Sequence, residues 1–331
     1  MNNLKNPDQK TSQNIDRRGR PGRLPAGENA RITRRITALS IIVGVVLVVL
    51  KTLVFADTGS VGILSSLVHS ALDLIAGLSS FIAVRYGAKP PNARYRYGRG
   101  KAEGFSAIFQ ICLIVLASVH LLETAISKVE NPHMISGGGY AIAVMVFAIV
   151  VTFWLLIAQS WAVRATGSLA VRGDRAHYLA DMLANIAVIT GLALTSYTPF
   201  VRADALVGVG IALWLLLTAF KLTKLAWSQL MDMELPDDER EMIRDLALQD
   251  QRINGVHDLR TRAAGPNIHI QMQLDLPDKL TLSEAHDIVL GTEKRIIEHY
   301  PSADILIHPH PSTCHDLHGN ARFRQGNEHK H

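Results

Sequence analysis

The sequence predicts an α-helical membrane protein with six transmembrane helices and a C-terminal cytoplasmic α+β domain. Three observations carry that expectation. The 331 residues are 48% hydrophobic with a mean hydropathy of +0.16, which suits a polytopic membrane protein better than a soluble enzyme or a disordered chain. Apolar stretches run at 36–56, 61–84, 104–126, 139–161, 176–198 and 203–228, each close to the ~20 residues that cross a hydrocarbon core. The composition then turns charged at Met233-Glu-Leu-Pro-Asp-Asp-Glu-Arg240, where a soluble domain is expected to begin.

Taken in order, residues 1–33 mix Asn, Gln, Pro, Gly and Arg with few large apolar side chains. They bury too little surface to offset chain entropy, so a disordered basic arm is expected. A six-helix transmembrane domain follows at 34–232. Its first apolar stretch comes after the polar arm and is followed by five more, so a cleavable signal peptide is not expected. The arm and the loop between spans two and three carry most of the flanking basic residues, from Lys5 to Arg35 and from Arg85 to Lys101. By the bias of basic residues both chain ends are expected to be cytoplasmic. Anionic lipid and topology account for the pI near 9.2, and no aromatic platform accompanies the charges, so nucleic acid is not an expected partner. Cys112 and Cys314 are the only cysteines, and a disulfide between them is not expected.

The soluble domain, 233–312, parses as αββαβ, a ferredoxin-like or metallochaperone-like order. Asp237 and Asp238 open a helix near 236–251, placing acids at its positive end. Val256–Ala263 and Ile268–Leu276 alternate like strands around Gly265-Pro266. Thr281-Leu-Ser-Glu284 has capping-box spacing ahead of an amphipathic helix to about Tyr300, and Ala303–His308 closes as a third strand. A unit of this size is marginal alone, and a partner subunit would help bury its surface. Residues 313–331 form a polar tail with Cys314, His315, His318, His329 and His331, expected to be disordered.

The chemistry lies in a repeated pattern, His69-Ser-Ala-Leu-Asp73 and His177-Tyr-Leu-Ala-Asp181, within the second and fifth apolar stretches. Residues four apart share a helix face. Each span therefore presents an imidazole with a carboxylate, and antiparallel spans would bring His69 to Asp181 and Asp73 to His177. Two nitrogens and two oxygens suit tetrahedral Zn²⁺. Packing glue is the bland alternative for one such pair, but two pairs in spans of opposite direction favour a shared ion. Ionisable groups at membrane depth are costly and functional by default. Protons compete for the same four groups, so metal release would be coupled to proton uptake.

Together with Thr58-Gly-Ser-Val-Gly-Ile-Leu64, Tyr97-Gly-Arg-Gly-Lys-Ala-Glu103, Arg202-Ala-Asp-Ala-Leu206 and Val256-His-Asp-Leu-Arg-Thr-Arg262, this pattern resembles the cation diffusion facilitator family over roughly 33–312. The likeness is to its bacterial ferrous-iron and zinc efflux branch. The resemblance implies a homodimeric metal/proton antiporter that exports divalent metal by alternating access, with its transport site at His69, Asp73, His177 and Asp181. It further implies a charge interlock between Lys101 and Asp232. His257, His286, His308 and His310 match a metal site at the dimer contact, where His310 replaces an acid and Gln273 replaces a histidine, while His269, four residues from Gln273, could share its strand face. One ion or two per subunit stays open there.

This chain departs from the branch at His69, where aspartate is usual. The second imidazole ranks Zn²⁺ first as transported and regulatory ion, with Fe²⁺ possible and Cd²⁺, Co²⁺ or Ni²⁺ not excluded. In the loop between spans two and three, Asn92, Tyr95 and Arg99 occupy positions where relatives carry an Asp and two His, and cannot assemble a metal site. His120 and Glu123 share a face of span three, where packing is the simpler role. No organic cofactor is expected. Four protein ligands leave zinc no open position for water, and no His-Glu-x-x-His occurs, which argues against a metalloenzyme. A metal-sensing membrane protein without transport is the remaining alternative.

Overall fold

The computed structural model describes residues 20–58, 61–130, 139–197 and 203–313. The chain divides into two compact units, Met1–Met233 with Ala263–Asn267, and Glu234–Arg262 with Ile268–His331.

The first unit is a bundle of six long helices: α1 (Ala26–Thr58), α2 (Val61–Gly87), α3 (Ala102–Glu130), α4 (Gly139–Thr166), α5 (Leu169–Tyr197) and α6 (Ala203–Leu230). Among the described residues, α1, α2, α3, α4 and α6 are long and apolar enough to cross a membrane. Helix α5 is as long, at 29 residues, but carries Arg172, Asp174, Arg175 and Asp181. It packs against α2, α3, α4 and α6, so those charges sit inside the bundle rather than against lipid. Its Asp174 and Asp181 are buried while Ile42, Val49, Phe105, Leu116, Trp154, Leu217 and Phe220 face outward. That inversion is expected where the solvent is hydrocarbon. Helix α1 begins inside the stretch expected to be a disordered arm. Pro25 precedes its first turn, where a fixed φ costs nothing, and Asn29 anchors it by donating to the Thr166 carbonyl at 3.1 Å.

Small residues let the helices approach closely. Ala107, Ala176, Ala180, Ala219 and Ala226 line the contact of α3, α5 and α6. The start of α5 is fixed by a carboxylate from another helix. Glu103, fully enclosed at the head of α3, accepts from Ser168 Oγ at 2.6 Å and from the Leu169 amide at 3.1 Å. These amides have no partner within α5, and an anion there also meets the positive helix end.

The second unit runs α7 (Asp237–Ala247), β1 (Gly255–Ala264), β2 (Asn267–Leu276), α8 (Leu282–His299) and β3 (Ala303–Pro311). This is the αββαβ order, with α7 shorter and β3 longer than their sequence patterns suggest. The sheet order is β1-β2-β3. A two-residue turn joins β1 to β2, with Gly265 at φ +60, while β2 and β3 pair in parallel from Ile268↔Ala303 to Leu276↔Pro311. Ile268, Ile270, Met272 and Leu274, alternating along β2, are buried, as are Ile288 and Ile296 of α8 and Ile243 of α7. The capping box is formed as spaced. Glu284 accepts from the Thr281 amide at 2.8 Å and donates its own amide to Thr281 Oγ1 at 3.3 Å.

Candidate metal centre

The His-x-x-x-Asp patterns of α2 and α5 face each other and pair crosswise. His69 Nε2 lies 2.8 Å from Asp181 Oδ1, and His177 Nε2 lies 3.1 Å from Asp73 Oδ1. His177 Nε2 is also 3.5 Å from Asp181 Oδ2. A tetrahedron with metal-to-ligand bonds of about 2.0 Å has an edge of about 3.3 Å, which these separations bracket. Atoms of His69, Asp73 and Asp181 able to hold a metal all fall within 4.8 Å of one another; His177 is outside that set of three but touches both carboxylates.

The site is asymmetric. His177, Asp73 and Asp181 have side chains only 4%, 8% and 8% exposed, whereas His69 is 45% exposed. His69 is therefore the member of the four on the open side. Asp181 Oδ2 is buried and accepts no hydrogen bond, with His177 Nε2 facing it at 3.5 Å, and a buried carboxylate oxygen left short of hydrogen bonds is a natural place for a cation. Along α5, one turn before His177, the enclosed Asp174 accepts from Ser40 Oγ at 2.7 Å and Gln159 Nε2 at 2.8 Å. Gln110 bridges the same carboxylate, at 3.5 Å, to the Ala76 carbonyl and Ser80. This polar floor ties α1, α2, α3 and α4 to α5 beside the metal ligands. On the opposite end of the α2 pattern stands Lys51, buried in α1. Sequence reading singled out neither residue. The signal available was a charge inside an apolar stretch, which fixes no partner.

Lys101 and Asp232 meet at 2.9 Å, and the Lys101 ammonium also donates to the Leu230 carbonyl at 3.2 Å. The C-terminal carbonyls of α6 lack partners of their own and attract a cation. Of the loop residues that replace metal ligands, Asn92 Oδ1 accepts from the amides of Arg94 and Tyr95. Arg99 lies over the rings of Tyr86 and Tyr95, at 5.3 and 4.4 Å. A guanidinium over aromatic faces thus organises this loop.

The histidines of the second unit are only partly gathered. On the open sheet face His308 and His310 have ring centroids 6.2 Å apart. His257 Nε2 contacts Asp275 Oδ2 at 2.6 Å, and Asp275 is the register partner of His310. Asp275 was missed by the sequence reading, although it lies two residues after Gln273 and so shares its strand face. His269 pairs with Asp304 at 3.0 Å. His286 lies exposed on α8, with no contact to the strand histidines among the described residues. His120 and Glu123 are exposed on α3 and join no metal-binding group among the described residues. The tail from Cys314 onward lies outside the described residues.

Residues 37–231 match the sequence model of the cation efflux transmembrane domain, and 235–312 match the cation efflux protein cytoplasmic domain. The cation-efflux pump FieF of Cronobacter sakazakii is 37% identical over 89% of this chain and 97% of its own length. The FieF of Serratia proteamaculans is 36% identical over 85% and 94%, and that of Yersinia enterocolitica is 36% identical over 86% and 94%. These matches, with five helices apolar enough to cross a membrane among the described residues, make the chain an integral membrane transporter of divalent cations. It belongs to the cation efflux, or cation diffusion facilitator, family.

Proposed function

We propose that this protein exports Zn²⁺ from the cytoplasm in exchange for protons by alternating access. The observation that carries the reading is the crosswise pairing of His69 with Asp181 and His177 with Asp73 across α2 and α5. Each pair brings an imidazole nitrogen and a carboxylate oxygen to hydrogen-bond distance, so each can hold a proton where a metal would otherwise bind. Ion and protons then exclude one another. Metal enters when the four groups are deprotonated and leaves when protons return. Two imidazoles in place of one favour zinc over harder ions, and the exposed His69 is the ligand through which an ion would enter and leave.

The protein is proposed to act as a homodimer in a bacterial inner membrane, with both chain ends cytoplasmic. His257, His308 and His310, now joined by Asp275, are proposed to bind regulatory zinc. Occupancy would draw the cytoplasmic domains of two subunits together. Lys101 and Asp232 would hold the spans as those domains move, since a specific ion pair fixes orientation more than it adds stability.

Reconstituted vesicles with an acidic interior test the reading. Zinc uptake should rise with the gradient, collapse when a protonophore removes it, and exceed uptake of Fe²⁺, Co²⁺, Cd²⁺ and Mn²⁺. Uptake indifferent to the gradient would contradict antiport, and faster Fe²⁺ uptake would reassign the cargo.

A further inference from the structure

Lys51 is a buried ammonium in a membrane-spanning helix, and the family assignment leaves it without a task. Only 6% of the residue is exposed. Its Nζ donates to Ser70 Oγ at 2.6 Å and to the Ser66 carbonyl at 3.2 Å. Both acceptors are on α2, and Ser70 sits between the ligands His69 and Asp73. No carboxylate lies within ion-pair distance among the described residues, and the bond to Ser70 holds the ammonium against the turn of α2 that carries His69 and Asp73. A lysine at this depth costs several kcal/mol to place, and packing alone is served as well by methionine. A neutral-imidazole site with two carboxylates carries a charge of −2, and a divalent ion brings it to zero. A third positive charge nearby offsets part of the attraction, and in a low-dielectric interior that effect reaches across several ångströms.

We propose that Lys51 is a fixed counter-cation and positioning residue of the transport site. Its ammonium clamps α1 to the α2 turn that carries His69 and Asp73, and it weakens the hold of the two carboxylates on a divalent ion so that the ion can leave. The idea rests on the transport-site reading above. It adds that affinity is deliberately held below what the four ligands would give.

The test uses the full chain, with zinc as the probe, in wild type, Lys51→Met, Lys51→Gln, Lys51→Arg and Ser70→Ala. Equilibrium zinc titration in detergent gives Kd, and initial rates in vesicles give KM and maximal flux. Lys51→Met should bind zinc about tenfold more tightly or better, with KM falling and maximal flux falling by a similar factor as release slows. Lys51→Arg, which keeps the charge and donors, should restore both values to within a few-fold of wild type. Ser70→Ala keeps the charge and loses one clamp, so its affinity should shift less than that of Lys51→Met. Wild-type affinity and flux in Lys51→Met would overturn the proposal, and so would weaker binding that Lys51→Arg does not restore. If Lys51→Met and Lys51→Gln both fail to fold while Ser70→Ala folds, Lys51 is a packing residue and the proposal falls. Absence of flux in wild-type vesicles would instead count against the transport reading, while the affinity shift in detergent still judges this one.

Discussion

At the scale of single residues, His69 is the position proposed to decide cargo. It is the exposed member of the four, and its ring meets Asp181 rather than the Asp73 of its own helix. Replacing it by aspartate would make a site of one imidazole and three carboxylates, harder and more anionic. We expect His69→Asp to lose zinc affinity on the order of tenfold, about 1.4 kcal/mol, and to gain relative affinity for Mn²⁺ and Fe²⁺. Competition titrations would show it, and an unchanged metal ranking would contradict it. The meeting of these four side chains was legible because their spacing repeats and a helix period converts spacing into a shared face. Asp275 was not legible, because a strand neighbour is set by register, and the pairing Asp275↔His310 exists only once β3 has docked.

At the scale of elements, the helices follow from apolar runs, but their ends answer to contacts that a sequence does not display. Helix α1 reaches back to Ala26 because Asn29 finds the Thr166 carbonyl, and α5 starts where Glu103 of α3 can cap it. The capping box of α8 was legible, since it is local. Thr281→Ala removes it and should cost about 1 kcal/mol, lowering the thermal midpoint of the purified chain by a few degrees. An unshifted midpoint would show that the cap contributes nothing. Beside α8, Arg252 forks onto Asp250 through 3.0 and 2.8 Å hydrogen bonds and holds that carboxyl down to about 2. A depressed carboxyl stabilises the folded state above its unfolded value of about 3.9, and that contribution disappears as pH falls towards 2. Asp250→Asn should therefore destabilise the domain at pH 6 but not at pH 2, and an equal loss at both pH values would contradict this.

At the scale of the whole molecule, transport requires that α2 and α5 reach both sides in turn without the spans coming apart. The Lys101–Asp232 pair is half-exposed, with side chains 38% and 37% accessible, so it should contribute no more than about 1 kcal/mol to stability. Its proposed task as an interlock predicts a different profile. Lys101→Ala should lower zinc flux several-fold while the melting temperature barely moves, and exchanging the two charges in Lys101→Asp with Asp232→Lys should recover part of the flux. Parallel loss of flux and stability would make the pair merely structural.

The central claim is that one site between α2 and α5 carries metal in one direction and protons in the other. It is tested most directly by following zinc entry and proton exit together in the same vesicles, for wild type, Asp73→Ala and Asp181→Ala. The account predicts that wild type moves both, in fixed proportion, and that each substitution abolishes both. Undiminished zinc entry in either variant, or zinc entry with no proton exit in wild type, would contradict it.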